Sequence, residues 1–200
     1  MAKPKLLLVD GSSLAFRAFF SILDLNRFKN SNGLHTNALY SFHRMFKSIL
    51  DSEKPTHVLV AWDAGKTTFR TEMYADYKGG RSKTPGEFIE QMPYFNVLLD
   101  AWGIPHYRLN QYEADDIIGT LAKQGEAAGY EVVVLSGDKD LIQLADNNIT
   151  VKITTKGVTE LVEYTPEVIF EKYGLTPEQI IDMKGLMGDS SDNYPGVTKV

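Results

Sequence analysis

The 200-residue chain contains no cysteine and no long apolar run. The absence of cysteine excludes disulfide bonds and thiolate metal sites, and it fits a cytosolic protein. No apolar stretch approaches the length of a membrane span, and Leu6–Val9 is too short for the core of a signal peptide. The chain also lacks an excess of positive charge, since its net charge is −5. This value argues against a nucleic-acid partner. That argument is weak, because two bound divalent ions would bring the total to about −1 and charge placement matters more than the sum.

Acidic side chains are concentrated in two short stretches. Glu113-Ala114-Asp115-Asp116 opens an apolar run with the spacing of an amphipathic helix, which we expect to end near Ala128. Ser136-Gly137-Asp138-Lys139-Asp140 follows Val132–Leu135, a run typical of a strand buried on both faces. If this helix and strand are neighbours, five carboxylates converge, which is unfavourable unless a cation lies among them. Carboxylate oxygens suit a hard divalent ion such as Mg²⁺ or Mn²⁺.

Two further predicted strands each end in an aspartate. The run Lys5–Val9 leads to Asp10, and His57–Trp62 leads to Asp63. Taken alone, Asp10 is better interpreted as a helix cap or turn residue. Three strand-end aspartates in one domain are hard to attribute to turns, because open α/β sheets bind their ligands beyond the carboxyl ends of the strands. Asp189-Ser190-Ser191-Asp192-Asn193 follows a predicted helix, and on its own this stretch is typical of an Asx-rich turn.

A basic segment follows the second of these strands. Its cations are Lys66, Arg70, Lys78, Arg81 and Lys83, with Phe69, Tyr74 and Tyr77 between them. One interpretation is a solvated, mobile connection, because charged stretches that contain glycine usually have this character. The other is a loop that holds phosphates and stacks bases beside an acidic site. The segment by itself favours neither.

The remaining pattern predicts helices and one hairpin. An amphipathic helix should begin near Thr36, with an apolar stripe at Leu39, Phe42, Phe46 and Ile49. A second should run from Thr84-Pro85-Gly86-Glu87, which has capping-box spacing, to about Ala101, with a kink at Pro93. Lys156-Gly157 should form the turn of a hairpin. Thr165-Pro166 and Thr176-Pro177 should open the last two helices, and the second of these should reach Gly188. His35, His43, His57 and His106 have no metal-ligand spacing.

Six motifs, taken in order, resemble the 5′-nuclease (flap endonuclease) family, and within it the 5′→3′ exonuclease domains that precede bacterial DNA polymerases. The first three are Leu8-Val9-Asp10-Gly11-Ser12, Trp62-Asp63-Ala64-Gly65-Lys66-Thr67-Thr68-Phe69-Arg70 and Tyr77-Lys78-Gly79-Gly80-Arg81. The others are Glu113-Ala114-Asp115-Asp116-Ile117-Ile118-Gly119, Ser136-Gly137-Asp138-Lys139-Asp140 and Gly188-Asp189-Ser190-Ser191-Asp192-Asn193. The resemblance covers the chain from about Lys5 to its last residue. It implies a PIN-like 5′-nuclease fold, an α/β architecture with a mostly parallel central sheet flanked by helices.

The resemblance also implies a site for two Mg²⁺ ions, for which Mn²⁺ can substitute. The first ion would be bound by Asp10, Asp63, Glu113 and Asp115. The second would be bound by Asp138, Asp140, Asp189 and Asp192, with Asp116 close to both. Lys78 and Arg81 match the family's active-site cations, so the implied catalytic residues are Lys78, Arg81, Asp115 and Asp116. The implied DNA-binding residues are Lys66, Arg70, Tyr77, Lys78, Arg81 and Lys83.

The implied domain spans residues 1–200, with an arch segment at about 66–95 through which a 5′ single strand passes. A helix-hairpin-helix that grips duplex DNA would begin near residue 190 and be cut off here. The implied activity is metal-dependent 5′→3′ exonuclease and flap endonuclease hydrolysis of DNA, in replication (RNA primer removal) and repair. The implied partners are DNA with a 5′ end, flap or nick, an RNA–DNA primer junction, and a polymerase domain in the same parent chain. A cytoplasmic, nucleoid-associated monomer with no membrane partner is expected.

Two alternatives stay open. Another acidic-site nuclease of PIN-like architecture would act on RNA, but the arch-like segment and the pair Asp189 and Asp192 extend beyond a minimal site of that kind. A catalytically silent module would recognise branched DNA, but such a binder gains nothing from nine negative charges that face phosphates.

Overall fold

The computed structural model describes residues 3–65, 67–155 and 160–198. Its centre is a six-stranded sheet in the order β3-β2-β1-β4-β5-β6. These strands are β1 (Lys5–Asp10), β2 (His57–Trp62), β3 (His106–Arg108), β4 (Glu131–Ser136), β5 (Ile149–Thr154) and β6 (Leu161–Tyr164). Strands β1 to β5 pair with one another in parallel, and β6 pairs with β5 in the antiparallel direction. The expected α/β class with a mostly parallel sheet is therefore confirmed.

Helices cover both faces of this sheet. They are α1 (Gly11–Phe20), α2 (Asn37–Glu53), α3 (Phe69–Met73), α4 (Gly86–Ile89), α5 (Met92–Ala101), α6 (Ala114–Ala127), α7 (Pro166–Tyr173) and α8 (Gln179–Met187). Two 3₁₀ turns occupy Leu25–Arg27 and Lys139–Leu144, and a short antiparallel pair joins β7 (Gly188–Asp189) to β8 (Tyr194–Pro195). Among the described residues, no helix is long and apolar enough to cross a bilayer.

The central strands are buried on both faces because alternate side chains enter two separate cores. Leu7 points to a core shared with α1, α2 and α5, where Phe42 and Phe95 are fully buried. Leu8 points to the opposite core, shared with α6 and the helices that follow β6. Since successive residues of a strand face opposite sides, a strand covered on both sides needs an unbroken apolar run. The unbroken apolar runs of the predicted central strands meet this requirement.

Parallel pairing brings the carboxyl ends of the strands to one edge of the sheet. Leu7 of β1 lies opposite Val58 of β2 and Val133 of β4, so these three strands end at nearly the same height. Asp10 is the last residue of β1, and Asp63 directly follows β2. The expectation that the strand-end aspartates share one edge is confirmed by this register.

One predicted helix is wrong in detail. The stretch expected as a single helix from Thr84 to Ala101 forms two helices, α4 and α5. Pro85 occupies the cap position rather than the first helical turn, and Thr84 makes no capping hydrogen bond. Gln91 lies between the two helices with its side chain fully buried, where its Oε1 accepts hydrogen bonds from the first turn of α2. This tertiary contact explains why the chain breaks before Pro93.

The helix starting near Thr36 and the hairpin formed by β5 and β6 are confirmed. The predicted turn at Lys156-Gly157 lies outside the described residues. Among residues 67–95, the described part of the arch segment, only α3, α4 and the start of α5 are helical, and residues 74–85 contain no helix or strand. Gly79 and Gly80 lie in a series of turns there, in agreement with the expected interruption at these glycines.

Candidate active site

Asp10 is buried at the carboxyl edge of the sheet, with 5% of its surface exposed. Its Oδ1 accepts a hydrogen bond from the Ser13 amide at 2.9 Å and caps α1, as the simplest interpretation of this residue predicted. Its Oδ2 accepts from the Ser136 hydroxyl at 2.7 Å. Burial, with smaller contributions from the Asp63 and Asp138 charges, raises the pKa of Asp10 to about 6 despite these two hydrogen bonds. Asp10 is therefore both a helix cap and a member of an acidic cluster.

Asp63 connects the end of β2 to the start of α6. Its Oδ1 accepts a hydrogen bond from the Ala114 amide at 2.8 Å, and its own amide donates to Ser12 Oγ at 3.0 Å. A carboxylate at the first turn of a helix is stabilised by the free amides and the helix dipole. This contact places Asp115, the next residue of α6, directly beside the strand ends.

Asp115 is the least compensated acid of the cluster. No described residue donates a hydrogen bond to its carboxylate. Burial raises the pKa of Asp115 well above its ordinary range, the charges of Asp10, Asp138 and Asp63 raise it further, and the charge of Lys78 offsets only part of this. The charges of Asp10, Asp63 and Asp138 all act on Asp115, and those of Asp63 and Asp138 also act on Asp10, so the predicted convergence of acids occurs at this edge.

Asp138 and Asp140 lie in the turn that follows β4. Asp138 Oδ1 accepts from the Asp140 amide at 2.9 Å and caps the 3₁₀ turn. Burial raises the pKa of Asp138, and the charges of Asp140 and Asp192 add to the effect. Gly137 donates its amide to Ser13 Oγ at 2.8 Å, and a side chain at this position would collide with that hydroxyl. A glycine is therefore needed for the β4 turn to approach the start of α1.

The basic segment folds back onto these acids. Lys78 Nζ lies 2.8 Å from Glu113 Oε2, and Arg81 Nη2 lies 2.6 Å from Asp192 Oδ1. Glu113 is only 6% exposed and begins α6 with a capping box. The structure thus brings two of the predicted cations into direct contact with two of the predicted ligands. Lys83 is exposed, and no contact with an acid places it at the cluster; Lys66 lies outside the described residues.

Asp116 makes a bidentate ion pair with Arg70. The two guanidinium nitrogens lie 2.7 Å from the two carboxylate oxygens, and Oδ2 also accepts from the Glu113 amide at 3.0 Å. Burial alone would raise the pKa of Asp116, but these hydrogen bonds hold it below its ordinary value. With both oxygens engaged, Asp116 is arranged to fix Arg70 and the start of α6. Its direct part in ion binding stays a prediction.

Tyr77 bridges two acids through its hydroxyl. The hydroxyl oxygen lies 3.2 Å from both Glu113 Oε2 and Asp192 Oδ2. Burial raises the pKa of Tyr77, and the two carboxylates raise it further, so the phenol stays protonated. In this arrangement Tyr77 positions the two acids through its hydroxyl rather than presenting a free ring for base stacking.

The donor chemistry fits a hard divalent cation. Each of Asp10, Asp115 and Asp138 has a pKa raised by burial and by the charges of neighbouring aspartates, and an ion among them would offset that repulsion. All candidate donors are carboxylate oxygens, which Mg²⁺ and Mn²⁺ prefer. Among residues 3–65, 67–155 and 160–198, however, no three acids or histidines are already arranged as a ligand group. Several of the oxygens are turned toward lysine, arginine and backbone donors, so ion binding requires some of these side chains to rotate.

Sequence reasoning missed three contributors to the site. Ser12 and Ser136 donate or accept hydrogen bonds that orient Asp10, Asp63 and Asp138. Lys184 on α8 contacts Asp140 Oδ1 at 2.7 Å and Asp189 Oδ2 at 2.5 Å. The serines stand inside two of the quoted motifs and could have been found there. Lys184 follows no local pattern, and only the tertiary fold reveals its position.

A parallel α/β sheet whose carboxyl edge gathers buried acids under a basic segment defines the class of acidic-site nucleases with a PIN-like fold. The sequence matches the family described as "5′-3′ exonuclease, N-terminal resolvase-like domain" over residues 5–174. Because this match covers most of the chain, the protein belongs to that 5′-3′ exonuclease family. The resemblance stated from the six motifs, and with it the nuclease class, is confirmed.

Similar proteins include DNA polymerase I of Bacillus subtilis, which is 63% identical over 198 residues, covering 99% of this chain and 22% of that protein. DNA polymerase I of Lactococcus lactis subsp. cremoris is 62% identical over 201 residues, covering 99% of this chain and 23% of that protein. The chain therefore spans less than a quarter of the length of these relatives.

Solved structures share the fold. A bacteriophage T5 5′-exonuclease with bound zinc is 26% identical with a TM-score of 0.73, covering 98% of this chain and 71% of that one. A T5 flap endonuclease in a pseudo-enzyme–product complex with DNA and metal ions is 26% identical, with a TM-score of 0.72 and the same coverage. Flap endonuclease-1 from Methanococcus jannaschii, at 20% identity and a TM-score of 0.58 over 99% of this chain and 68% of that one, supports the fold alone.

Proposed function

We propose that this chain is a divalent-metal-dependent 5′→3′ exonuclease and structure-specific flap endonuclease domain that hydrolyses phosphodiester bonds in DNA. The observation that carries the proposal is the group of buried aspartates that three parallel strands and the start of α6 bring to one edge. Burial raises the pKa of Asp10, Asp115 and Asp138 there, and the charges of Asp10, Asp63 and Asp138 raise that of Asp115 further, in a chain that belongs to the 5′-3′ exonuclease family. Acids whose pKa is raised by burial and by neighbouring charges are typical of functional sites.

Two Mg²⁺ ions are proposed as the cofactor, with Mn²⁺ as a substitute. Asp10, Asp63, Glu113 and Asp115 would hold the first ion, and Asp138, Asp140, Asp189 and Asp192 the second. Bound ions supply activation of water and stabilisation of the leaving oxygen in an in-line displacement. Mg²⁺ retains several waters, so some of these acids, and Asp116 in particular, would act by orienting others. Metal ions in the T5 structures support divalent-ion binding by this fold.

The chain's own cations would handle the phosphate. Lys78 and Arg81 contact the acids at 2.8 and 2.6 Å, so a scissile phosphate that reaches the acids would lie within their range after a side-chain rotation. There they would offset charge that develops on the phosphate oxygens. Arg70 is fixed by Asp116 and would position the strand through its backbone, together with Lys66, Tyr77 and Lys83 in the arch segment.

The substrate is proposed to be DNA with a 5′ end, flap or nick, and an RNA–DNA primer junction within replication and repair. DNA in the T5 flap endonuclease complex supports a DNA substrate. The Bacillus and Lactococcus relatives are DNA polymerases I, which supports a polymerase domain in the parent chain. We propose that this parent is a cytoplasmic, nucleoid-associated monomer. In that parent, a helix-hairpin-helix beginning near residue 190 would grip the duplex.

Cleavage of a 5′-labelled flap substrate tests this proposal. Wild-type protein should release short labelled products with Mg²⁺ and none with EDTA, and Asp115→Ala should abolish cleavage. Asp100→Ala is the matched control. The Asp100 side chain is 71% exposed, and its ion-pair partner is His106, at the start of β3 and not among the acids. DNA binding without cleavage by the wild type would favour a silent recognition module, and cleavage of RNA alone would favour the PIN-like ribonuclease.

A further inference from the structure

Lys184 occupies the acid pair that the proposed second ion would need. Its Nζ lies 2.7 Å from Asp140 Oδ1 and 2.5 Å from Asp189 Oδ2, so a single ammonium bridges the turn after β4 and the turn after α8. The side chain is 33% exposed, which leaves it room to swing toward solvent. Lysine is a compact point charge on a flexible stem, and it releases a carboxylate more readily than a bidentate arginine does.

Both carboxylate oxygens of Asp189 are engaged by protein donors in this arrangement. Lys184 takes Oδ2, while Oδ1 accepts from the Ser191 amide at 2.8 Å and the Ser191 hydroxyl at 2.6 Å. The hydrogen bond from Lys184 is the main reason that the pKa of Asp189 lies well below its ordinary value. A divalent ion can bind Asp189 through Oδ2 only if the ammonium moves away.

Asp115, in the first group of acids, has no protein donor among the described residues. Its neighbours Asp10, Asp63 and Asp138 add negative charge that Lys78 offsets only in part. A cation that enters there relieves repulsion and displaces nothing from Asp115. In the first group an ion must displace a cation from one proposed ligand, Lys78 from Glu113 at 2.8 Å, whereas in the second group Lys184 holds two proposed ligands at once. The two halves of the acidic edge therefore differ in how many acids an arriving ion must free from a protein cation.

We propose that Lys184 is an internal counterion that competes with a divalent ion for Asp140 and Asp189, and so makes the second ion bind more weakly than the first. This inference rests on the proposed two-ion function. Lys184 thereby keeps the two acids paired until an ion takes its place. It is a positioning residue for the ion and touches neither substrate nor scissile phosphate in this role.

Titration of the 200-residue chain with Mn²⁺ by calorimetry measures the competition without relying on cleavage. In Lys184→Met the dissociation constant of the more weakly bound Mn²⁺ should fall by roughly 3–10-fold, because partly exposed ion pairs are individually weak and two are lost. Lys184→Gln provides a second neutral variant, and Lys184→Arg should bind the second Mn²⁺ no more tightly than the wild type, because it retains the charge and a guanidinium releases a carboxylate less readily. Lys123→Met is the matched control, because Lys123 also bridges two acids, Asp146 at 2.6 Å and Glu126 at 3.4 Å, but lies along α6 away from the edge.

The outcomes separate this inference from the function on which it rests. Tighter Mn²⁺ binding in both neutral variants, with Lys123→Met unchanged, supports the competition. If the wild type binds Mn²⁺ and cleaves flap DNA while the neutral variants bind Mn²⁺ equally or more weakly, Lys184 does not compete and the inference alone is overturned. If the wild type neither binds Mn²⁺ nor cleaves DNA, the proposed function fails and the inference fails with it.

Discussion

Replacing Asp10 with asparagine tests whether the acidic edge is held together against its own repulsion. The substitution keeps the shape of the side chain, and the amide carbonyl oxygen can still accept from the Ser13 amide that Asp10 Oδ1 accepts at 2.9 Å. The new NH₂ group can donate to Ser136 Oγ, which in the wild type donates to Oδ2. What the substitution removes is a buried negative charge beside Asp63 and Asp138.

The size of the effect follows from the pKa of Asp10, which rises from its ordinary value of 3.8 to about 6. At roughly 1.36 kcal/mol per pH unit, ionisation of Asp10 costs the fold about 3 kcal/mol at neutral pH. Some of this is offset because the Ser136 hydroxyl must reorient, so we expect Asp10→Asn to gain about 2 kcal/mol at pH 7 in EDTA. For a domain of this size that corresponds to roughly 4–8 °C in Tm.

The pH dependence gives a sharper test because its sign is fixed. Between about pH 4 and 6 the folded protein binds more protons at Asp10 than the unfolded chain does, so the stabilisation present at low pH is lost as pH rises through 6. Asp10→Asn should lack this loss, and its advantage in urea unfolding should therefore grow from pH 4 to pH 7. Saturating Mg²⁺ should reduce the advantage, because the ion stabilises the wild type more.

Asp51→Asn is the control for this experiment, because Asp51 is exposed and its ion pair is with Lys47, one turn away on α2. Its effect on the free energy of unfolding should stay within about 0.5 kcal/mol at every pH. Parallel pH profiles for the wild type and Asp10→Asn, or a variant that is less stable at pH 7, would refute the account of a repulsive acidic edge.

The sequence predicted the edge of the sheet because its signals are local. Unbroken apolar runs identify strands buried on both faces, and an aspartate at the end of such a run has its position fixed once the strands are parallel. Asp10, Asp63 and Asp138 follow this reasoning, and α6 was recognisable from the apolar spacing after Asp116. Helix bounds at the carboxyl side, such as Ala127, were also close to the prediction.

The cation pairs could not be predicted because they join residues far apart in the sequence. Arg81 contacts Asp192 across 111 positions, and Lys184 meets Asp140 only because α8 folds back to the turn after β4. Gln91 was missed for a related reason. It lies inside the stretch predicted as one helix, but it is buried against the start of α2, and the first helix ends before it.

Two further predictions follow from these tertiary contacts. Gln91→Leu should destabilise the fold by about 2–4 kcal/mol in urea unfolding, because it leaves backbone amides at the start of α2 without a hydrogen-bond acceptor. Gln124→Leu, on the exposed face of α6, should change stability by under about 0.5 kcal/mol. Lys78→Ala should lower the single-turnover cleavage rate by roughly 10²–10³, as loss of a preorganised electrostatic donor does. Lys83→Ala should weaken only DNA affinity, because Lys83 is exposed and makes no described contact with the acids, whereas Lys78 Nζ lies 2.8 Å from Glu113. Calorimetric Mn²⁺ binding must first be shown to survive in Lys78→Ala. Near wild-type rates at saturating DNA would then return the arch segment to a solvated connection and leave the acids as the only supported catalytic groups.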